Sequence, residues 1–164
     1  PCTLPQRITP RLAGMLKRFH PIYINTQFNH PAEITPEAAR ACTLLADAGI
    51  PMGCQTVLLK GVNDDPAVMK RLMERLLTIR VKPYYIHHAD PVKGTGHFRT
   101  SIETGLAILR KLRGTVSGMG IPQYMIDLPG GGGKIPLLPE YIVKKENGTL
   151  LVKNRLEQIV AYPV

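Results

Sequence analysis

The sequence predicts an α/β fold of parallel strands joined by crossover helices, and two observations carry that expectation. Segments of strand-like and helical hydrophobic period alternate from Pro21 to His88 with short connections. Polar residues collect just after the C-terminal ends of the strand-like segments, where β/α barrels and open sheets both place their sites. Strand, helix, strand, helix, strand with such short links implies right-handed parallel crossovers, either in a barrel or in an open doubly wound sheet.

Taken in order, the opening PCTLPQRITP carries three prolines without a capping or amphipathic pattern, as if the chain began partway through a larger unit. Ile22 to Asn25 is a short β-rich run, followed by the polar residues Gln27, Asn29 and His30. A helix is expected from Pro36 to Ala48, with Thr35 as N-cap, Pro36 at the first helical position and Gly49 as the stop. Cys54 to Leu59 reads as the second strand and enters the polar turn Gly61-Val62-Asn63-Asp64. Asp65-Pro66 opens the next helix, in which Val68, Met69, Leu72, Leu76 and Leu77 recur at helical spacing.

Lys82 to His88 is the third strand, and a third helix runs from Ser101 to about Leu112, with Glu103 in its first turn and Gly114 beyond its basic end. Gln123 to Asp127 is a strand that leads into a glycine tract. There the alternation stops. Tyr141 to Lys144 and Thr149 to Val152 form a strand pair around the Asn147-Gly148 hairpin turn, and Leu156 to Tyr162 supplies one further strand.

A chain of 164 residues with 44% hydrophobic content buries one ordinary core, so one globular domain or a large part of one is expected. No run approaches the roughly 18 to 20 apolar residues that span a bilayer, and the start lacks the layout of a signal peptide, which makes the cytoplasm the default location. Cys2, Cys42 and Cys54 match neither a disulfide framework nor the short spacings of zinc or iron-sulfur ligands. The net charge of +9 comes from 21 dispersed basic residues, and with only 5% aromatics it argues against nucleic acid. Small anions, phosphate esters included, suit the same charge balance.

The most unusual motif is Pro129-Gly130-Gly131-Gly132-Gly133-Lys134, directly after a strand. Four glycines are expected where backbone approaches a ligand or takes positive φ. A nucleotide P-loop requires Ser or Thr after its lysine, and Ile135-Pro136 stands here instead. A lysine beside such a loop can serve as an amine nucleophile toward an aldehyde, as in pyridoxal phosphate enzymes, or can be a solvated turn residue. Asp90 and Asp127 each end a strand. If both strands share one parallel sheet, the two acids share a rim and can act as acid and base, hold a cationic group, or merely cap loops. His87, His88, Asp90 and His97 match no zinc signature; strand alternation puts His88 and Asp90 on one face and His87 on the other, so no metal site is expected. Asn25, Gln27, Asn29 and His30 either contact a ligand or finish the first strand.

In order, LPQRIT at 4 to 9, FNHPAEIT at 28 to 35, RACTLLADAGIP at 40 to 51, QTVLLKGVND at 55 to 64, RVKPYYIHHAD at 80 to 90, HFRT at 97 to 100, LRGTVSG at 112 to 118 and IDLPGGGGK at 126 to 134 resemble the C-terminal half of the lysine 2,3-aminomutase family. The resemblance covers nearly the whole chain. It implies part of a TIM-type radical S-adenosylmethionine barrel over residues 1–118, then a pyridoxal phosphate lysine loop and β extension over 119–164. The implied parent is a cytoplasmic isomerase, a homo-oligomer that interconverts L-lysine and 3,6-diaminohexanoate with pyridoxal phosphate, S-adenosylmethionine and a 4Fe-4S cluster.

Carried over by the same resemblance, Lys134 is the Schiff-base lysine, with Gly131, Gly132 and Gly133 beside the cofactor. Asp90 and Asp127 hold the substrate's distal ammonium, and Gln55 belongs to the S-adenosylmethionine pocket. Two carboxylates favour lysine over glutamate, while arginine remains acceptable. The family's CxxxCxxC cluster motif is absent, so its ligands are expected outside this chain, and the chain alone is expected to be inactive. Gln27 stands where relatives usually have His, and Asp64-Asp65 lies where some members place a zinc-binding cysteine. An alternative is a pyridoxal phosphate-binding module without radical chemistry. A relative that modifies a protein lysine is disfavoured because that branch lacks the lysine of the glycine motif. Open sheet edges further predict self-association of the isolated chain.

Overall fold

The computed structural model describes residues 1–154 and 156–164 and contains two sheets. The first has the order β1 (Ile24–Thr26), β2 (Met52–Leu58), β3 (Val81–His88), β4 (Gln123–Leu128), β5 (Gly133–Leu137). β1 to β4 are mutually parallel and β5 pairs antiparallel with β4. The second is an antiparallel sheet of β6 (Ile142–Glu146), β7 (Thr149–Lys153) and β8 (Ile159–Pro163). No described helix is long and apolar enough to cross a membrane.

The helices start where local chemistry tells them to. In α2 (Pro36–Asp47) the Thr35 hydroxyl accepts from the Ala38 amide, and in α3 (Pro66–Thr78) Asp65 accepts from Ala67 and Val68. Ser101 caps α4 (Ile102–Leu112) by accepting from the Thr104 amide. Each contact satisfies an amide that the first helical turn leaves without a partner. The opening segment corrects the expectation that it lacks a capped helix: Thr9 accepts from Leu12 and Pro10 opens α1 (Pro10–Leu16). Only Ala13 of α1 is buried, which is why no amphipathic stripe marks it.

The parallel sheet is packed on one face. Along β2, Met52, Cys54, Thr56 and Leu58 are buried while Gly53, Gln55 and Val57 are half-exposed. The buried set joins Ala38, Cys42 and Leu45 of α2, Met69, Leu72, Met73 and Leu76 of α3, and Ile108, Leu109 and Leu112 of α4 in one core. Parallel sheets normally have both faces covered. Here the second face carries polar and aromatic side chains.

The alternation changes phase within β3. Cys54 pairs with Pro83 but Gln55 pairs with Tyr85, so Tyr84 is an extra residue on β3. Val81 and Pro83 point into the core before this bulge, and Ile86 does so after it. The shift directs His87 to the open face.

Two close fits fix the frame. Gly105 of α4 lies against the ring of the buried Tyr124, where an added Cβ would overlap the ring atoms. Asn63, fully buried in the turn after β2, donates to the carbonyls of Asn29 (2.7 Å) and Val57 (2.8 Å), and its Oδ1 accepts from the Leu59 amide at 2.7 Å. The motif read as a simple turn is a polar clamp between the ends of β1 and β2.

Candidate functional site

Parallel pairing of β3 with β4 places their C-terminal ends at one rim, and β5 turns back from that rim. The reversal runs through Pro129–Gly131, with Gly130, Gly131 and Gly133 at φ of 67°, 79° and 85°. A Cβ at these three positions would meet nothing, so conformation rather than space demands glycine. Expected as a loop, the end of this tract is instead the start of β5, because β4 offers Gly133 to Leu137 a free edge to pair with.

The register sets Lys134 directly opposite Asp127. Lys134 Nζ donates to Asp127 Oδ1 at 2.6 Å and to Oδ2 at 2.7 Å, with both side chains partly exposed. Facing side chains across an antiparallel pair sit close enough for this without backbone distortion.

His87 is the third member of the group. Its Nδ1 lies 3.6 Å from Asp127 Oδ2, and the ring is half-buried. Burial, and after it the nearby Lys134 ammonium, lower the His87 pKa against the opposing pull of Asp127 and Asp90. The lowering favours the neutral imidazole, which can take a proton at a site that already holds one cation. Asp90 is exposed two residues beyond β3, at the same rim and within electrostatic reach of His87. Gln55 lies on the open face, in register with Tyr85 and so one step down the sheet from His87.

His88, His97, Asn29 and His30 are engaged elsewhere, while Asn25 shares the open face with Gln55. His88 Nδ1 and the Tyr124 hydroxyl are hydrogen-bonded at 2.8 Å. The Tyr124 pKa is pushed up to about 12 by burial and then by Glu103, so the phenol keeps its proton. His88 is held below its ordinary pKa by burial and then by Arg99. His97 lies against Phe98, with ring centroids 4.1 Å apart. Asn29 accepts from the Val57 amide at 2.9 Å, and His30 caps the turn at Pro31–Glu33, so both finish the loop after β1. Asn25 and Gln27 remain exposed.

No three His, Cys, Asp or Glu side chains among the described residues are grouped to hold a metal ion. The Cys2 and Cys42 thiols are pushed up to about 11, and that of Cys54 is also raised, chiefly by burial. Cys54 bonds with the backbone of Phe28. Thiols held protonated by the apolar core they share are poor metal ligands.

Sequence reasoning treated His87 only as a metal candidate and missed its place beside Asp127. The usable signal was parity: a parallel β3–β4 pair puts residues of one parity on each strand onto one face. Locating the bulge required the paired strand.

Residues 109–164 match a family model described as lysine-2,3-aminomutase. The chain is 51% identical to the L-lysine 2,3-aminomutase of Fusobacterium nucleatum over 99% of its own length and 38% of that protein. It is 55% identical to the glutamate 2,3-aminomutase of Clostridioides difficile over 92% of its length and 36% of that protein. Among solved structures, a radical SAM methyltransferase from Sphaerobacter thermophilus superposes with a TM-score of 0.52 at 19% identity, covering 73% of this chain and 38% of that one. This last likeness concerns the fold alone.

Proposed function

We propose, since the chain belongs to the lysine 2,3-aminomutase family and spans about two fifths of the length of the curated relatives it matches, that it supplies the amine-handling side of an L-lysine 2,3-aminomutase active site. The parent reaction is the interconversion of L-lysine and 3,6-diaminohexanoate, in a cytoplasmic, homo-oligomeric radical S-adenosylmethionine isomerase. In this reading the parallel sheet is part of a TIM-type barrel whose open face is the lumen, with residues 1–118 as barrel and 119–164 as lysine loop and β extension.

One observation carries the substrate assignment. Asp127 grips a primary ammonium, that of Lys134, through both carboxylate oxygens. The distal ammonium of L-lysine is the same chemical group. When Lys134 turns to a cofactor, Asp127 is left with an ammonium-shaped vacancy, and Asp90 at the same rim adds the second negative charge. A glutamate side chain would bring a carboxylate to two carboxylates, which disfavours the glutamate reading despite the Clostridioides similarity.

The residues present fit pyridoxal phosphate: a lysine amine follows a glycine turn whose backbone has open space at three positions. When bound, that cofactor supplies an aldehyde for covalent attachment and an electron sink for the migrating amino group. Lys134 would be its anchor, with Gly131, Gly132 and Gly133 permitting close approach. His87 would accept the proton that Lys134 must shed to become a nucleophile. Gln55 would face S-adenosylmethionine from the sheet. The cysteines of this chain do not fit the 4Fe-4S cluster, and no step is assigned to them.

The reading is tested by incubation with pyridoxal phosphate, borohydride reduction and peptide mass spectrometry. A pyridoxyl label on Lys134, lost in Lys134→Arg with the fold intact, is expected. Labelling spread over surface lysines and unchanged in Lys134→Arg would sink it. A label without conversion of L-lysine by the complete protein would favour a pyridoxal phosphate module without radical chemistry.

A further inference from the structure

We propose that the protein has a second polar site, a pocket for a phosphate-like oxyanion, between the turn after β2 and the start of α4. The cavity measures about 240 Å³ and is lined by Lys60, Asp64, Arg99, Thr100, Ser101 and Thr104. None of these residues belongs to the Lys134 group.

Three features point to an anion. Lys60 and Arg99 bring two cations to one small cavity, and neither forms an ion pair with a carboxylate among the described residues. The single acid of the lining, Asp64, already receives the Gly61 amide at 2.9 Å and leaves the pocket net positive. The Thr100 hydroxyl oxygen is buried with no hydrogen-bond partner. Leaving such a group unsatisfied is costly, and a turn of the side chain about its Cα–Cβ bond would let an oxyanion in the cavity accept its proton.

The pocket is also braced. The Lys60 amide donates to the Phe98 carbonyl at 2.8 Å, tying the two lining loops together beside both cations. Ser101 accepts from the Thr104 amide and lies 3.2 Å from the Thr104 hydroxyl, so the polar wall of α4 is held in place. The positive end of the α4 dipole adds to the field in the pocket, while the direct contacts come from Lys60 and Arg99. A tetrahedral oxyanion can satisfy two cations and a hydroxyl at once. Inorganic phosphate and the phosphoryl group of an ester share this chemistry.

The test is calorimetric titration of the full chain with inorganic phosphate and, separately, glycerol phosphate at low ionic strength. Saturable one-to-one binding is expected, weakened at least tenfold in Arg99→Gln and in Lys60→Gln and unaffected by Lys134→Arg. Tighter binding of the ester would identify an ester as the occupant; equal or weaker binding would identify the free ion. Thr100→Val provides an arm that does not depend on a removed charge: without phosphate its melting temperature should equal or exceed that of the parent, and stabilisation by added phosphate should shrink. Absence of binding, binding indifferent to Arg99 and Lys60, or binding abolished by Lys134→Arg would overturn the proposal. The outcome is independent of pyridoxyl labelling at Lys134.

Discussion

Asp127 and Lys134 face each other across the antiparallel β4–β5 pair, with the ammonium shared between both carboxylate oxygens at 2.6 and 2.7 Å. Because both side chains reach solvent, this bond contributes little to folding, at most about 1 kcal/mol. Its geometry is better understood as readiness to hold an ammonium group. Asp127→Asn keeps the shape and removes the charge, so the melting temperature should move by no more than roughly 4 °C. On the proposed function, use of L-lysine by the complete protein should fall at least tenfold, which parallel melting curves and kcat/KM measurements check.

Gly105 and Tyr124 offer the opposite case, a contact that serves packing. Gly105→Ala forces a methyl group into the buried ring and should cost about 1 to 3 kcal/mol, the usual penalty for overfilling a dense core. Pairing it with Tyr124→Leu, which frees space at the same point, should recover part of the loss. Denaturant unfolding of the two single variants and the double variant measures the coupling.

Asn63→Ala should be among the most damaging single changes outside the hydrophobic core. It strands the Leu59 amide and the carbonyls of Asn29 and Val57 in a buried turn. A loss of about 3 kcal/mol or more is expected in chemical denaturation, because the partners left behind remain desolvated. A loss below about 1 kcal/mol would mean that water replaces the clamp.

His87 and His88 give the protein a pH dependence of definite sign. Both titrate below the ordinary value of 6.5 when folded, so the unfolded chain binds more protons in the interval just below 6.5. Their contribution to stability is complete above that value and is lost as pH falls through the lowered folded values. Melting temperature should therefore decline as pH falls below 6.5. The decline should flatten in His87→Gln and in His88→Gln, as scanning calorimetry across that interval would record.

Much of the frame was legible because it is written locally. Thr35-Pro36, Asp65-Pro66 and Ser101 each announce a helix through a side chain that meets an amide two or three residues away. The strands show equally well in residues that one face must bury. Thr9-Pro10 carried the same kind of signal, yet a helix of seven residues with one buried side chain left no stripe beside it. At the candidate site, the glycine tract and the strand-end acids stand out in the sequence, whereas the pairing of Asp127 with Lys134 depends on register. The strand status of Gly133 to Leu137 comes from the free edge of β4, a tertiary fact that overrides the weak β-propensity of glycine and proline.

The extra residue at Tyr84 has a consequence for how this strand tolerates change. His87 and His88 are chemically identical neighbours, and only the count of residues before them decides which one meets Asp127 and which one meets Tyr124. Losing Tyr84 would remove the bulge and leave His87 opposite Val57 on the open face, whereas one added residue beyond the bulge would turn both histidines to the opposite faces. β3 therefore behaves like a reading frame with one spare letter: it can absorb a loss at the bulge, but a single insertion beyond it rewrites every address downstream.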